Sequence, residues 1–194
     1  HRAIGSRHEN DERWDYNAYY GNVLLPEDVL QTNYRIGFVH YNYPELPVKQ
    51  RDLQEMHAIL SMPNVTGVQG LVPSYALIKL YPAEGGSILQ QGGTASGFMH
   101  IGMLDYTFAV PGVTPDVPEQ VFKLHSEVVY NDGVSPYNTN VDNDWSHAVF
   151  GISTDVDLGY GFTVTPGIYY QYSAETTVNT EDETWGTVGL RYAF

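Results

Sequence analysis

The chain has 194 residues, enough for one domain, and a formal charge of −14 from nine Lys and Arg against 23 Asp and Glu. This charge argues against binding nucleic acid and against a basic patch that would hold an anionic membrane surface. The absence of Cys excludes disulfides and thiolate chemistry, and no stretch is apolar for long enough to form a transmembrane helix.

Nine segments, taken in chain order, have the residue alternation and the turn-rich boundaries of β-strands. They are residues 13–20, 33–43, 53–62, 74–81, 96–108, 121–130, 145–156, 162–173 and 183–194. No segment predicts an amphipathic helix. Evenly spaced strands without helices indicate one all-β domain over residues 1–194, either a sandwich or a barrel.

The last strand favours the barrel. One parity of residues 187–194 is apolar, and the other holds small residues and Arg191. A strand of this kind that ends on an aromatic residue is typical of the closing strand of a transmembrane β-barrel. Leu190, Tyr192 and Phe194 are therefore the expected assembly signal, and barrel-assembly machinery is the expected partner.

In the other strands the larger apolar residues define the lipid-facing parity, and the opposite parity collects the charged side chains. The predicted lumen and constriction residues are Arg13, Asp15, Arg35, Glu55, His57, Lys79, Lys123, His125, Glu127 and Arg191. No Lys or Arg falls on the predicted lipid-facing parity, where one would cost roughly 2–4 kcal/mol at the bilayer mid-plane. Ala76, Ile78, Leu80 and the acid Asp105 are predicted to face outward.

Aromatic residues gather near the strand ends on the lipid-facing parity, as interfacial girdles require. They are Trp14, Tyr20, Tyr34, Tyr106, Tyr130, Tyr172 and Phe194. The polar parity lacks the dense Lys and Glu coating of a soluble protein and mixes Gly, Ser, Thr and Tyr with a few charges. A soluble carbohydrate-binding β-sandwich, with the apolar face inside, stays an alternative.

The strand count bears on topology. A carboxyl terminus in the periplasm puts residues 1–12 in an outer loop, together with the acidic segments 138–144 and 175–183. Nine strands are odd, whereas bacterial barrels have an even number. We therefore expect one or more further amino-terminal strands and an antiparallel up-and-down barrel of about ten to twelve strands when complete; the alternative is that one of the nine segments is not a strand.

Short motifs resemble a known family. Residues 34–44 (YRIGFVHYNYP), followed by 53–61 (LQEMHAILS), resemble the central strand pair of the TorF-type porin family of Gram-negative envelopes. Residues 161–170 (GFTVTPGIYY) and the ending at 182–194 resemble the last hairpin of that family. The resemblance implies a Gram-negative outer-membrane barrel of porin type with no assigned substrate.

Two dense ionisable clusters alternate onto the predicted lumen face, Glu55 with His57, and Lys123 with His125 and Glu127. Rings of charged side chains can select permeants, while in a small barrel such ladders can instead fill the interior. A metal site from the two His and two Glu residues is the weaker alternative, and no metal or cofactor is expected.

The sequence therefore predicts a non-enzymatic outer-membrane barrel for passive diffusion of small solutes. The alternative within the same fold is a structural or assembly barrel of the envelope without an open pore. Outer-membrane lipid and lipopolysaccharide are the expected partners, a homo-oligomer is left open, and nucleic acid is not expected. No hydrolase nucleophile motif, phosphate-binding loop or dinucleotide fingerprint is present.

Overall fold

The computed structural model describes residues 14–44, 52–83, 96–112, 119–134, 143–174 and 181–193. Its ten strands are β1 (Trp14–Leu24), β2 (Thr32–Asn42), β3 (Leu53–Ser61), β4 (Leu71–Pro82), β5 (Gly97–Pro111), β6 (Glu119–Asp132), β7 (Asp144–Thr154), β8 (Val156–Gly159), β9 (Phe162–Ser173) and β10 (Glu183–Tyr192). Across these ranges there is no helix with the length and apolarity needed to cross a membrane.

All ten strands belong to one antiparallel sheet with the order β1-β2-β3-β4-β5-β6-β7-β9-β10, and β8 pairs with β9 beside β7. This confirms the all-β, antiparallel up-and-down architecture. The sheet is not closed, because β1 and β10 form its two edges. Alternation of direction across the sheet makes these two edge strands run the same way. The described strands form a single layer, which is not the two-layer arrangement of a sandwich.

The hairpin turns on one side of the sheet are shorter than the sequence predicts. Strand β1 continues to Leu24, four residues past the predicted end, and leaves residues 25–31 as the first turn. Strand β8 extends into the predicted turn 157–161, so that only Tyr160 and Gly161 connect it to β9. Both residues have positive φ, 54° and 81°, as a two-residue type I′ hairpin requires.

Strand pairing defines two faces of the sheet. The inner face carries the side chains of the paired row Gly37–His57–Ile78–Met99 and of every second residue from these along each strand. The opposite face is called the outer face. The buried non-glycine side chains of β2 to β6 all lie on the inner face. They are Val39, Glu55, His57, Ala76, Val129 and Asn131. One-sided burial indicates that the sheet curls toward this face.

The face predicted for β4 was wrong. Register places Lys79 opposite Met56 and Phe98 on the outer face, whereas Ile78 lies opposite His57 on the inner face. Both parities of β4 are largely apolar, so side-chain size could not define its outward face. Ala76 and Leu80 also lie on the inner face.

Asp105 was assigned to the wrong face as well. It pairs with His125 across β5 and β6 and lies on the inner face. The adjacent Tyr106 lies on the outer face, as predicted. The sequence could not show this partner, because a carboxylate of β5 meets a residue 20 positions away in the chain.

Candidate functional site on the inner face

Most of the predicted lumen residues share the inner face. They are Asp15, Arg35, Glu55, His57, Lys123, His125, Glu127 and Arg191. Lys79 is the exception and lies on the outer face. Arg13 and Phe194 lie outside the described residues, and Leu190 and Tyr192 are exposed outer-face residues of the edge strand β10.

A hydrogen-bonded chain links β2 and β3. The Tyr41 hydroxyl donates to Glu55 Oε2 at 2.5 Å, and Nδ1 of His57 lies 2.9 Å from Glu55 Oε1. Alternate residues of β3 point to one face, so Glu55 and His57 reach each other along the same strand. Glu55 is 9% exposed and His57 is 6% exposed. The carboxylate thereby fixes the orientation of a buried imidazole.

These residues border a cavity of about 310 Å³ on the inner face, which we call the inner-face pocket. It is lined by Asp15, Asn17, Arg35, Val39, Tyr41, Glu55, His57, Ile59 and Ile78. Nε2 of His57 is buried and has no hydrogen-bond partner among the described residues. The ring lies over Gly37, where a Cβ atom would approach Cε1 of His57 to 2.7 Å. Only glycine at position 37 leaves room for this ring position.

A second cluster lies on β5 and β6. His125 Nδ1 is 2.7 Å from Asp105 Oδ1, and His125 Nε2 is 3.4 Å from Glu127 Oε2. The imidazole thus stands between two carboxylates, one across the strand pair and one on its own strand. The side chains are about a quarter to a half exposed. This arrangement ties the two strands together in the manner of a charged cross-strand pair.

A third group lies where β7 passes into β8. Lys123 Nζ donates to Asp155 Oδ2 at 2.7 Å, and the Thr165 hydroxyl donates to Oδ1 of the same carboxylate at 2.6 Å. Each oxygen of the Asp155 carboxylate thus accepts a hydrogen bond. Asp155 therefore holds β6 and β9 together as an ionised carboxylate.

The first two clusters do not form one metal site. Glu55 and His57 are on β3, and His125 and Glu127 are on β6, with β4 and β5 between them in the sheet. In the described parts of the chain no group of three or more His, Asp or Glu residues is arranged to hold a metal ion. The carboxylate and histidine pairs are therefore assigned to hydrogen bonding.

The sequence missed the partners that complete these clusters, namely Tyr41, Asp105 and Asp155. Each is supplied by a different strand, or by a strand junction, so its contact depends on register. For these contacts, the sequence indicated only which residues of a strand share a face. Tyr41 shares the parity of Arg35 in β2, which places both on one face.

The outer face carries most of the large apolar side chains that stay exposed. They include Trp14, Tyr16, Tyr20, Ile36, Phe38, Met56, Leu60, Phe98, Leu104, Tyr106, Leu124, Val128, Trp145, Phe150, Ile152, Phe162, Ile168, Tyr170, Tyr172, Val188, Leu190 and Tyr192. On the inner face, the described strands expose a large apolar side chain at three positions only. These are Tyr19 and Val23 of β1 and Trp185 of β10, the two edge strands.

Aromatic rings cluster toward both ends of the outer face. At one end Tyr130 contacts Trp145, with ring centroids 5.4 Å apart. At the other end Phe108 stacks on Phe122 at 5.8 Å, and Phe162 contacts Tyr192 at 4.6 Å. The middle of the face is mostly aliphatic. Between β5 and β10, aromatic contacts therefore lie near both ends of the outer face.

No family model, curated protein or solved structure matches this chain.

Proposed function

We propose that this chain is an outer-membrane β-barrel protein that allows passive diffusion of small solutes, with its outer face against lipid and its inner face toward a lumen. The observation that carries the proposal is the division of side chains between the faces. Exposed aliphatic and aromatic groups cover one face, and hydrogen-bonded charged groups lie on the other. Transmembrane β-barrels alternate in this way because one face meets hydrocarbon and the other meets water.

The dimensions support this assignment. Phe162 and Tyr172 lie on the outer face of β9, ten residues apart and near opposite ends of the strand. At about 3.3 Å per residue they are about 33 Å apart along the strand. A strand tilt of about 35–45° reduces this to a height of about 25 Å, the usual apolar height of an outer-membrane barrel.

Exposure in water would be unfavourable for this face. A soluble monomer rarely exposes a contiguous apolar patch larger than a few hundred Å², whereas here exposed apolar groups extend from β1 to β10. A soluble sandwich would cover such a face with a second sheet, and the described strands form one sheet only. Lipid is the cover that this surface chemistry fits best.

The outer membrane also accounts for the expected orientation and partners. With the carboxyl terminus in the periplasm, the periplasmic connections would be 25–31, 62–70, 112–118 and 160–161, with two to nine residues each, and the outer connections would be 43–52, 83–96, 133–143 and 174–182, with nine to fourteen. Short periplasmic turns and longer outer loops are the rule in this class. Leu190 and Tyr192 would then belong to the assembly signal.

A structural barrel without an open pore is the second candidate. It is favoured by the hydrogen-bonded side chains of the inner face, such as Lys123 with Asp155 and His125 with Asp105. Ladders of this kind can fill the interior of a small barrel. The ring of Tyr169 fills the space beside Gly151 and Gly167 on the same face, which favours a packed interior as well.

The proposal is tested in two steps. The natively produced protein is first located by membrane fractionation, and its migration on an unboiled gel is compared with that of the boiled sample. We expect outer-membrane location and heat-modifiable migration, and recovery in the soluble fraction without detergent would contradict the membrane assignment. Planar-bilayer recording then separates the two candidates: stepwise conductance supports diffusion, and its absence from heat-modifiable protein supports a structural barrel.

A further inference from the structure

The two faces of the sheet differ in charge as well as in apolar exposure. In the described strands, the outer face carries one acidic residue, Asp132, and one basic residue, Lys79. Every other acidic residue of these strands lies on the inner face. A charged side chain is costly in hydrocarbon and is stable beside water, so this sorting has a physical cause. It concentrates negative charge on one side of the sheet.

The first half of the sheet contributes four of the inner-face carboxylates. Strands β3, β5 and β6 carry Glu55, Asp105, Glu119 and Glu127. Asp15 of β1 shares this face, but it takes part in a further interaction and is left out of the charge balance.

The second half of the sheet adds four more carboxylates. They are Asp144 of β7, Asp157 of β8, Glu183 of β10, and Asp155, which lies between β7 and β8. The eight residues lie on strands from β3 to β10. A sheet that curls toward this face therefore distributes them around its inside and does not gather them in one cluster.

Positive groups are fewer on the inner face. In the described ranges its only Lys and Arg residues are Arg35, Lys123 and Arg191, and Lys123 already pairs with Asp155. The face also has three imidazoles, those of His57, His125 and His147. Even with a proton on each imidazole, six positive groups would stand against eight carboxylates. The described inner face is therefore negative in every protonation state of its histidines.

The sequence of the outer connections does not offset this excess. Segments 83–96, 133–143 and 174–182 contain acidic residues and no Lys or Arg, and segment 43–52 contains two residues of each sign. Residues 1–13 contain three Arg and three acidic residues. The connections at the outer end thus add negative charge to that of the inner face.

We propose that the lumen is selective for cations, so that inorganic cations and small organic amines pass in preference to anions of similar size. This inference rests on the proposed function and deepens it, because it names the charge class of the permeant. Rings of Asp and Glu side chains select cations in channels. A passage lined by one sign of charge, with walls of low dielectric constant, raises the local concentration of counter-ions. An anion would meet repulsion in the same passage.

The test measures the relative permeability of K⁺ and Cl⁻, two ions of nearly equal mobility in water. The full chain is refolded and inserted into a planar bilayer, and the reversal potential is recorded under a KCl gradient. We expect K⁺ to be at least about threefold more permeant than Cl⁻ near 0.1 M salt. The preference should weaken toward 1 M salt, because the screening length falls from about 10 Å to about 3 Å.

Matched substitutions on the two faces identify the source of the preference. Asp144→Asn combined with Glu183→Gln removes two exposed inner-face carboxylates and should lower the permeability ratio about twofold. Arg35→Gln removes an inner-face cation and should raise it. Asp132→Asn and Lys79→Gln are the controls on the outer face, and both should keep the ratio of the parent protein.

Three results would overturn the inference: Cl⁻ as permeant as K⁺ in the parent protein, an unchanged ratio in the folded double variant, or a preference that does not weaken with salt. Heat-modifiable migration shows which variants fold. If the double variant does not fold, the ratio of the parent protein and its salt dependence decide. Conducting protein that prefers Cl⁻ rejects this inference alone, whereas absence of conductance rejects diffusion itself and its selectivity together.

Discussion

The imidazole of His57 lies against the backbone of Gly37, in the space where any other residue would place its Cβ. The two residues face each other in the register of β2 and β3. Because Glu55 holds the opposite side of the ring, the imidazole has little freedom to move away. A small residue on one strand thus determines how a buried polar group sits on the next.

Gly37→Ala should therefore destabilise the protein. The added Cβ meets the imidazole at less than van der Waals distance, and overpacking of this kind costs about 1–3 kcal/mol. The free energy of unfolding is measured by urea titration of the refolded protein. Gly102→Ala is the control, because a Cβ there would lie 3.5 Å from Val128, an ordinary contact. Equal stability of the two variants would contradict the packing of His57 over Gly37.

Asp105 and His125 should be energetically coupled. Their side chains are 45% and 27% exposed and 2.7 Å apart, so solvent screening limits the coupling to about 0.5–1 kcal/mol. A double-mutant cycle with Asp105→Asn and His125→Gln measures it from unfolding free energies. A parallel cycle between Asp105 and Arg191, which are separated by several strands, should give a value near zero. A zero value for the first pair as well would argue against the register of β5 and β6.

Replacing Lys79 by Leu and replacing Lys123 by Leu should have opposite effects on the free energy of unfolding. Lys79 lies on the outer face with Nζ 4.3 Å from the centre of the Phe98 ring, three residues from the end of β4. In lipid the charge costs more there than the cation–π contact returns, so Lys79→Leu should raise the free energy of unfolding by about 0.5–1 kcal/mol. The measurement is unfolding from lipid vesicles.

The matched variant is Lys123→Leu on the inner face. It leaves Asp155 without its ion-pair partner and should lower the free energy of unfolding. If Lys79→Leu destabilises the vesicle-bound protein as Lys123→Leu does, the outer face does not meet hydrocarbon at this position.

Asp155 should contribute to stability through its two hydrogen bonds. Its carboxylate accepts from Lys123 and from Thr165, and Asp155→Asn removes the charge that pairs with Lys123. Because both side chains of the ion pair are partly exposed, the substitution should lower the free energy of unfolding by about 0.5–1 kcal/mol. Urea titration at pH 7 measures the difference.

Glu119→Gln is the control for this substitution, since Glu119 is an exposed carboxylate at the start of β6. Its free energy of unfolding should stay close to that of the parent protein. A destabilisation by Asp155→Asn no larger than that of Glu119→Gln would contradict the role given to the Asp155 carboxylate.

Periodicity predicted the strands well where the two parities differ in chemistry. The hairpin of β9 and β10 is the clearest case, because Ile168, Val188 and Leu190 alternate with small or polar residues. This alternation alone predicted that the three side chains lie on the outer face. β4 failed for the opposite reason, since Leu77, Ile78 and Leu80 make both of its parities apolar. Side-chain size then does not distinguish the two faces of β4, and only its pairing with β3 determines which residues lie on the inner face.

The polar partners could not be predicted, because they depend on register between strands. His125 meets Asp105 only because the β5–β6 connection sets the register between the two strands, and Tyr41 reaches Glu55 only because the β2–β3 register is fixed. A shift by one residue would reverse every side chain of a strand. The local spacing of Glu55 and His57 was readable, whereas their cross-strand neighbours required the sheet.

The most direct test of the account is the accessibility of spin labels along β9 in lipid vesicles. The chain has no Cys, so single cysteines can be introduced at outer-face positions 164, 168 and 172 and at inner-face positions 165, 169 and 171. We predict that a lipid-soluble quencher reaches the first set and a water-soluble quencher reaches the second, with a period of two. Access of the water-soluble quencher to both sets alike would contradict a sheet whose outer face meets lipid.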